Sequence, residues 1–422
     1  MSKQGLFWRG IALLALAIHG GTALLRLDTF WPYPKLVDFG AFYAAAAAMR
    51  QGLSPYFPDA AFVDALRAAS GMPFHPPPVF NPPPWPFLLQ PLTLLPFPGA
   101  AWAWLLLQLA ILAWCGRRLA ELAGIDGIGR WAVLAVTVTF GPVFLDLSLG
   151  QTSTVLLLAA LVIGRSLSTP GRQTLFRGAA GQALAVAAKL YPAFWTGALV
   201  LRRRWRTLAL SLLLTGAVFL AVSLAQPETS LRYWRAYLPA RVTAATEQVN
   251  VDDQAWMAWW ARLTLPQSFA VPGLNPDERH SVRWDPVWDL APTAVRTAGY
   301  LILAAVAGAT MWALWRTRPE ADEPAFYLWV LLGLLAFPHM ERYNHALLLP
   351  AMAWLWGQGE RGRRIAVTGY LLAGAARLTH LWVLVLPWPW APLATGSGVL
   401  AVLLLMAGMV QALRRPAPGG GT

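Results

Sequence analysis

The chain has 422 residues, 57% of them hydrophobic and 13% charged, with a net charge of +13 and a mean hydropathy of +0.48. That balance excludes a disordered chain and a soluble domain built on one core, because the recurring unit is an apolar stretch of roughly 17–25 residues, enough to span a bilayer as a helix. The positive charge argues against a nucleic-acid partner, since the Arg residues stand in short clusters beside apolar runs, a topology pattern and not a polyanion-binding face.

In chain order, Lys3 and Arg9 precede IALLALAIHGGTALL, a cleavable signal or, given the apolar segments that follow, a retained signal-anchor over 6–25. Residues 26–96 form a large outer loop with two short helices, one starting at Asp38 and stopping at Gly52, the other starting at Asp59 and ending at Gly71. Segment 97–116 returns to Arg117-Arg118, 131–147 goes out, and 151–164 returns to Arg165 and Arg172. Residues 178–201 lie between two basic clusters, so a single crossing would violate the positive-inside rule; two half-length helices meeting near Lys189-Leu190-Tyr191-Pro192 resolve the conflict.

Segment 207–225 exits to a second outer loop, 226–295, where Asp252 and Asp253 stand ready to cap a helix over 254–263. Segment 297–315 returns to Arg316 and Arg318, 324–338 and 344–357 make an outer-facing hairpin ending at Arg361–Arg364, and 365–387 and 396–413 complete the set. The expectation is an all-α polytopic protein of the plasma membrane with about 11–12 membrane helices and two outer loops carrying short amphipathic helices. Residues 1–415 form one domain, 416–422 a flexible tail, and both termini are cytoplasmic. The 23 Trp gather near segment ends, as interfacial belts do, and the lone Cys115 excludes an internal disulfide.

Few residues are placed to carry chemistry. Asp38 begins a helix whose face (Phe39, Phe42, Tyr43, Ala46) is apolar and expected along the membrane surface, where partial desolvation would raise a carboxyl toward a useful base. Helix capping explains it equally well. Lys189 sits deep at the hairpin break with apolar neighbours, so a lipid phosphate is its expected partner. His339, Glu341 and His345 flank an outer turn; histidines six residues apart do not share a helix face, so no metal site is expected there, and His339 is the better candidate to bond a phosphate or the base. Gln151, at the outer start of a helix, contacts sugar hydroxyls or caps.

The stretch DFGAFYAAAAAMRQGLSPY resembles the opening of glycosyltransferase family 87, the polyprenol-phosphate-mannose-dependent mannosyltransferases of the GT-C fold. The likeness continues in order through Asn81–Pro96, Leu149–Leu161, Ala188–Arg206 and Phe337–Ala351. It implies a GT-C-type fold, Asp38 as catalytic base, Lys189 in a Lys-x-x-Pro element and His339 with Tyr343 in a Pro-His-x-x-x-Tyr element. Donor-phosphate binding falls to Lys189 and His339, and substrate contacts to Tyr43, Gln151, Tyr191, Gln254, Glu341, Tyr343 and His345. Two departures bear on the acceptor: Glu341-Arg342 stands where many members have His-Asp, and Asp253-Gln254-Ala255 where they have Asn-Gln-Ser.

The reaction so implied is inverting transfer of a sugar, mannose by inheritance, from a polyprenyl phosphate to a glycolipid or envelope-glycan hydroxyl at the outer face. No metal or other cofactor is expected, and the partners are the lipid-linked donor, the acceptor and membrane lipids, with no nucleic acid. A lipid-linked glycan ligase or polymerase is the nearest rival. A lipid-linked-sugar flippase is the rival from another class, though it would spread polar residues through both leaflets.

Overall fold

The computed structural model describes residues 13–14, 16–17, 19–21, 23–56, 58–169, 171–240, 253–265, 267–272, 279–284, 291–318, 321–337, 339–378, 382–383, 385–386 and 390–414. Half of the expected segment 6–25, Asp252 and the tail 416–422 lie outside these. The protein is an all-α membrane fold with, among the described residues, one small antiparallel strand pair.

Among the described residues three helices are long and apolar enough to cross a bilayer unaided: α3 (Phe97–Ala123), α9 (Trp205–Ala225) and α11 (Pro292–Trp315). The last two expose Leu212, Leu213, Leu220, Leu224, Leu301 and Ile302, a surface that only lipid can cover at such density. A further apolar pair, α4 (Gly129–Thr139) and α5 (Gly141–Leu149), is long enough only when taken together and is bent by 61° at its break. A single helix over 131–147 was expected; Pro142 has no N–H to donate back to residue 138 and its ring would clash with that carbonyl, so the helix breaks at Phe140 and Pro142 falls in the first turn of α5.

At the core runs α12 (Asp322–Ala336), buried along nearly its whole length. Its first turn carries Asp322 and Glu323, favourable at a helix N-terminus. Arg202 Nε lies 2.5 Å from Asp322, Arg204 Nε 2.6 Å from the same carboxylate, and Arg118 Nη2 2.5 Å from Glu323. Buried charge is tolerated because it is paired and hydrogen-bonded. Against this core pack α6 (Ser153–Ser168), α13 (Leu349–Gly357) and α15 (Ser397–Leu413); α7 (Arg172–Ala188) lies against α6, and α14 (Glu360–Ala375) against α13 and α15. The expected helix over 365–387 stops at Ala375, with one 3-10 turn to Leu378.

The backbone breaks at Lys189 as expected, but the first arm is a 17-residue helix and not a half-length one. Helix α7 ends at Ala188, a 3-10 turn covers Tyr191–Trp195, and α8 (Thr196–Leu201) completes the return.

The loop over 26–96 carries α1 (Val37–Arg50) and α2 (Ala60–Ser70). Asp59 caps α2, its Oδ1 accepting from Ala61 N at 3.1 Å, and Gly71 ends it at φ 73°. Helix α1 corrects an expectation: it does not lie on a membrane surface but is enclosed by protein, with Phe39–Tyr43 and Ala45–Met49 all buried. Its Ala run leaves both faces small enough for close neighbours. The loop over 226–295 contributes α10 (Trp256–Thr264) and an antiparallel pair, β1 (Gln267–Pro272) with β2 (Arg279–Trp284), in register Gln267 to Trp284.

Candidate functional site

Asp38 sits in the first turn of α1, but its carboxylate does not cap that helix. Leu36 occupies the N-cap position in left-handed backbone (φ 40°), and no side chain caps the start. Gln151 Nε2 donates to Asp38 Oδ2 at 2.8 Å instead. This approach depends on Gly150: at φ 72° its turn lies so close to α1 that an added Cβ would stand 2.6 Å from Phe39 Cβ and 2.9 Å from Leu36 Cβ.

The turn is fixed from behind. Trp104 Nε1 donates to Gly150 O at 3.0 Å and Gln108 Nε2 to Gln151 O at 2.8 Å. Asp146, fully buried, accepts from Ser153 N at 2.7 Å, Thr154 N at 3.0 Å, the Thr154 hydroxyl and Gln108 Nε2 at 3.2 Å. It thus caps α6 from the preceding helix and sets where Gln151 points. Asp146 and Gln108 were missed in the sequence, although an acid inside the apolar run GPVFLDLSLG was itself a signal.

Lys189 follows α7 in extended backbone (φ −149°, ψ 148°). Asn81 Nδ2 donates to Ala188 O at 2.6 Å and Gln182 Nε2 to Pro192 O at 2.8 Å, so the broken backbone has partners. Lys189 Nζ donates to Asn344 Oδ1 at 3.1 Å and lies 4.5 Å from the Tyr343 ring centroid. Ser153 Oγ (3.3 Å) and Tyr191 OH (3.4 Å) also reach Asn344 Oδ1. Among the described residues no carboxylate lies within ion-pair distance of this ammonium.

The turn after α12 is tied to the chain just ahead of α10. Asp253 and Glu341 form an isolated antiparallel bridge, and Asp253 Oδ1 accepts from Ala255 N and Met340 N, both at 2.9 Å. His339 Nδ1 is 2.7 Å from Asp253 Oδ2, and its Nε2 is 3.1 Å from Glu341 Oε1. Arg262, buried, donates to Asp253 O at 2.7 Å. Asp253 is therefore not the helix cap the sequence suggested: α10 has Ala255 at its N-cap with no side-chain cap, and the Asp253 carboxylate ties the chain ahead of the helix to the 339–341 turn.

Asp38, Gln151, Lys189, Tyr191, Glu341 and Tyr343 come together: Asp38 feels the charges of Lys189 and Glu341, and the rest follow from the bonds above. Four expected contacts fall away. The Tyr43 hydroxyl donates to Leu95 O at 2.8 Å and its ring packs on Phe39 and Phe97. Gln254 is buried, its Nε2 donating to Thr395 O at 2.9 Å and its Oε1 accepting from Gly398 N at 3.2 Å. His345 is wholly buried, its imidazole occupying the space a Gly398 side chain would need. His339 has both ring nitrogens engaged by carboxylates, which leaves none for a phosphate.

Burial raises the Asp38 carboxyl above its ordinary value, against the Gln151 hydrogen bond and the Lys189 charge, which lower it. A base works deprotonated, so the acid limb of activity is expected above the usual carboxylate range. Gln151→Leu removes one of the lowering influences, and the limb should move to still higher pH. A pH profile of kcat/KM checks this, and an unmoved limb counts against the contact. Burial opposes charge on His339, but its bonds to Asp253 and Glu341 prevail and hold it at about 10. Its stabilising effect is thus complete below an unfolded value near 6.5 and lost as pH rises through about 10. Asp253→Ala strands two backbone N–H groups and frees His339, so a loss of about 2–5 kcal/mol is expected in denaturant unfolding.

The model of glycosyltransferase family 87 matches residues 80–338, more than half of the chain. The chain belongs to glycosyltransferase family 87. No curated protein and no solved structure matches it. The matched stretch includes Gln108, Asp146, Gln151, Lys189 and Asp253; Asp38 lies before it, and the turn from His339 to His345 after it. As a family 87 member the protein is a glycosyltransferase set in a membrane, acting on a sugar donor and an acceptor.

Proposed function

We propose that this family 87 protein is an inverting transferase that takes a sugar, mannose by family resemblance, from a polyprenyl phosphate to a hydroxyl of a glycolipid or envelope glycan at the outer face of the plasma membrane. The observation that carries this reading is Lys189: a half-buried ammonium at a helix break, held by the neutral Asn344 and the Tyr343 ring, with Asp38 near enough to act on its charge. A cation so placed suits a phosphate delivered from the bilayer.

In this reading the acceptor oxygen attacks the anomeric carbon as Asp38 takes its proton. The bond from that carbon to the phosphate oxygen breaks, and polyprenyl phosphate leaves with the electron pair. Lys189 offsets the charge growing on the phosphate, aided by the Tyr191 hydroxyl. One base and one displacement invert the anomeric configuration. Gln151 holds the Asp38 oxygen that faces it, leaving the other carboxylate oxygen for the acceptor. Glu341 and Tyr343 line the acceptor side.

The test is purified protein with a panel of polyprenyl-phosphate sugars and, in parallel, nucleotide sugars. Turnover confined to the lipid-linked donors, with the product anomer inverted, is expected. Transfer from a nucleotide sugar, or retention, would remove the proposal.

A further inference from the structure

The face of the molecule away from Asp38 carries a second polar site that the transfer reaction does not use. Counting from Gln151 to Arg165 along α6 places it ~21 Å from the Gln151 end, at 1.5 Å per residue. Here a pocket of about 240 Å³ is lined by Trp114, Arg117, Arg118, Glu121 and Arg165. Three guanidinium groups thus share one lining carboxylate. Arg118 is committed, donating to Glu121 at 3.0 Å and Glu323 at 2.5 Å. Arg117 and Arg165 are not: they approach Glu121 only at 3.6 and 3.8 Å and, among the described residues, donate no hydrogen bond. Their side chains are 70% and 50% exposed, so a ligand can reach them.

The same helix continues the pattern into the bilayer. Leu107, Trp114 and Arg118, at spacings of seven and four, share one face of α3, and Leu107 and Trp114 are exposed. Along one stripe the surface changes from aliphatic to aromatic to basic. A membrane phospholipid changes in the same order, from acyl chain through glycerol to phosphate. Positive-inside topology alone accounts for Arg residues at a helix end; it does not require Arg117 and Arg165, from two different helices, to converge on one pocket with donors unspent.

We propose that this pocket binds the phosphate headgroup of an anionic glycerophospholipid, with Arg117 and Arg165 as the ligating pair, the acyl chain along Trp114 and Leu107, and Arg118 and Glu121 holding the floor. Basic pockets between membrane helices are suited to such headgroups.

The experiment compares delipidated full-length protein with the Arg117→Gln/Arg165→Gln double variant. Thermal unfolding is followed on titration with phosphatidylglycerol, phosphatidylcholine or inorganic phosphate, with Arg361→Gln, an exposed arginine elsewhere, as the charge control. Phosphatidylglycerol should raise the wild-type and Arg361→Gln midpoints saturably, and the double variant should need about tenfold more lipid or beyond. Both substituted side chains are exposed, so the variant should fold, and its midpoint without lipid confirms that. A shift of equal size with phosphatidylcholine, or an equal lipid response in the double variant, would overturn the site. A shift of equal size with inorganic phosphate would overturn the lipid as its occupant.

Discussion

Asp38→Asn is expected to lower sugar transfer by about 10²- to 10⁴-fold, the range a positioned general base contributes. The substitution is nearly isosteric and removes no helix cap, because Asp38 caps nothing. Folding should therefore survive, and an unchanged thermal midpoint separates lost chemistry from lost structure. The amide can still pair with Gln151, so the donor KM should change little while kcat falls. Retention of wild-type kcat would show that another group takes the proton.

Lys189→Gln should cost about 10²- to 10³-fold in kcat/KM for the lipid-linked donor, comparable to removing one group that stabilises charge in the transition state. The neutral side chain can still donate to Asn344, and Ser153 remains bonded there, so the break in the hairpin keeps its contacts. Lys189→Arg keeps the charge but replaces a compact ammonium with a planar fork, so partial activity is expected. The split matters: a loss confined to the acceptor KM would place the phosphate elsewhere.

Much of this architecture was legible because it rests on strong single-residue costs. Arg clusters on both sides of 178–201 forbade a simple crossing, and the break duly falls at Lys189. An acid just beyond an apolar segment singled out Asp38. What resisted reading is what depends on partners distant in the chain. Asp146 looks like an anomaly in an apolar run until Gln108, Ser153 and Thr154 surround it.

Asn344 gave no signal, since an amide carries no charge to explain, yet Lys189, Tyr191 and Ser153 all meet on it. Helix α1 was assigned to a membrane surface because its aromatic face is apolar; the Ala face opposite was equally able to be buried, and composition does not say which neighbour arrives. The same limit applied to His339 and His345. Their residue type and place in the turn were readable, but the carboxylates that claim one and the glycine that seals the other belong to different elements.

The most direct measurement is the structure of the Asp38→Asn protein with an uncleaved polyprenyl-phosphate sugar bound. The account predicts the phosphate within hydrogen-bond distance of Lys189 Nζ, with the anomeric carbon open to attack from the side of residue 38. A donor phosphate lodged away from Lys189, with its ammonium still on Asn344 and the sugar out of reach of position 38, would contradict it.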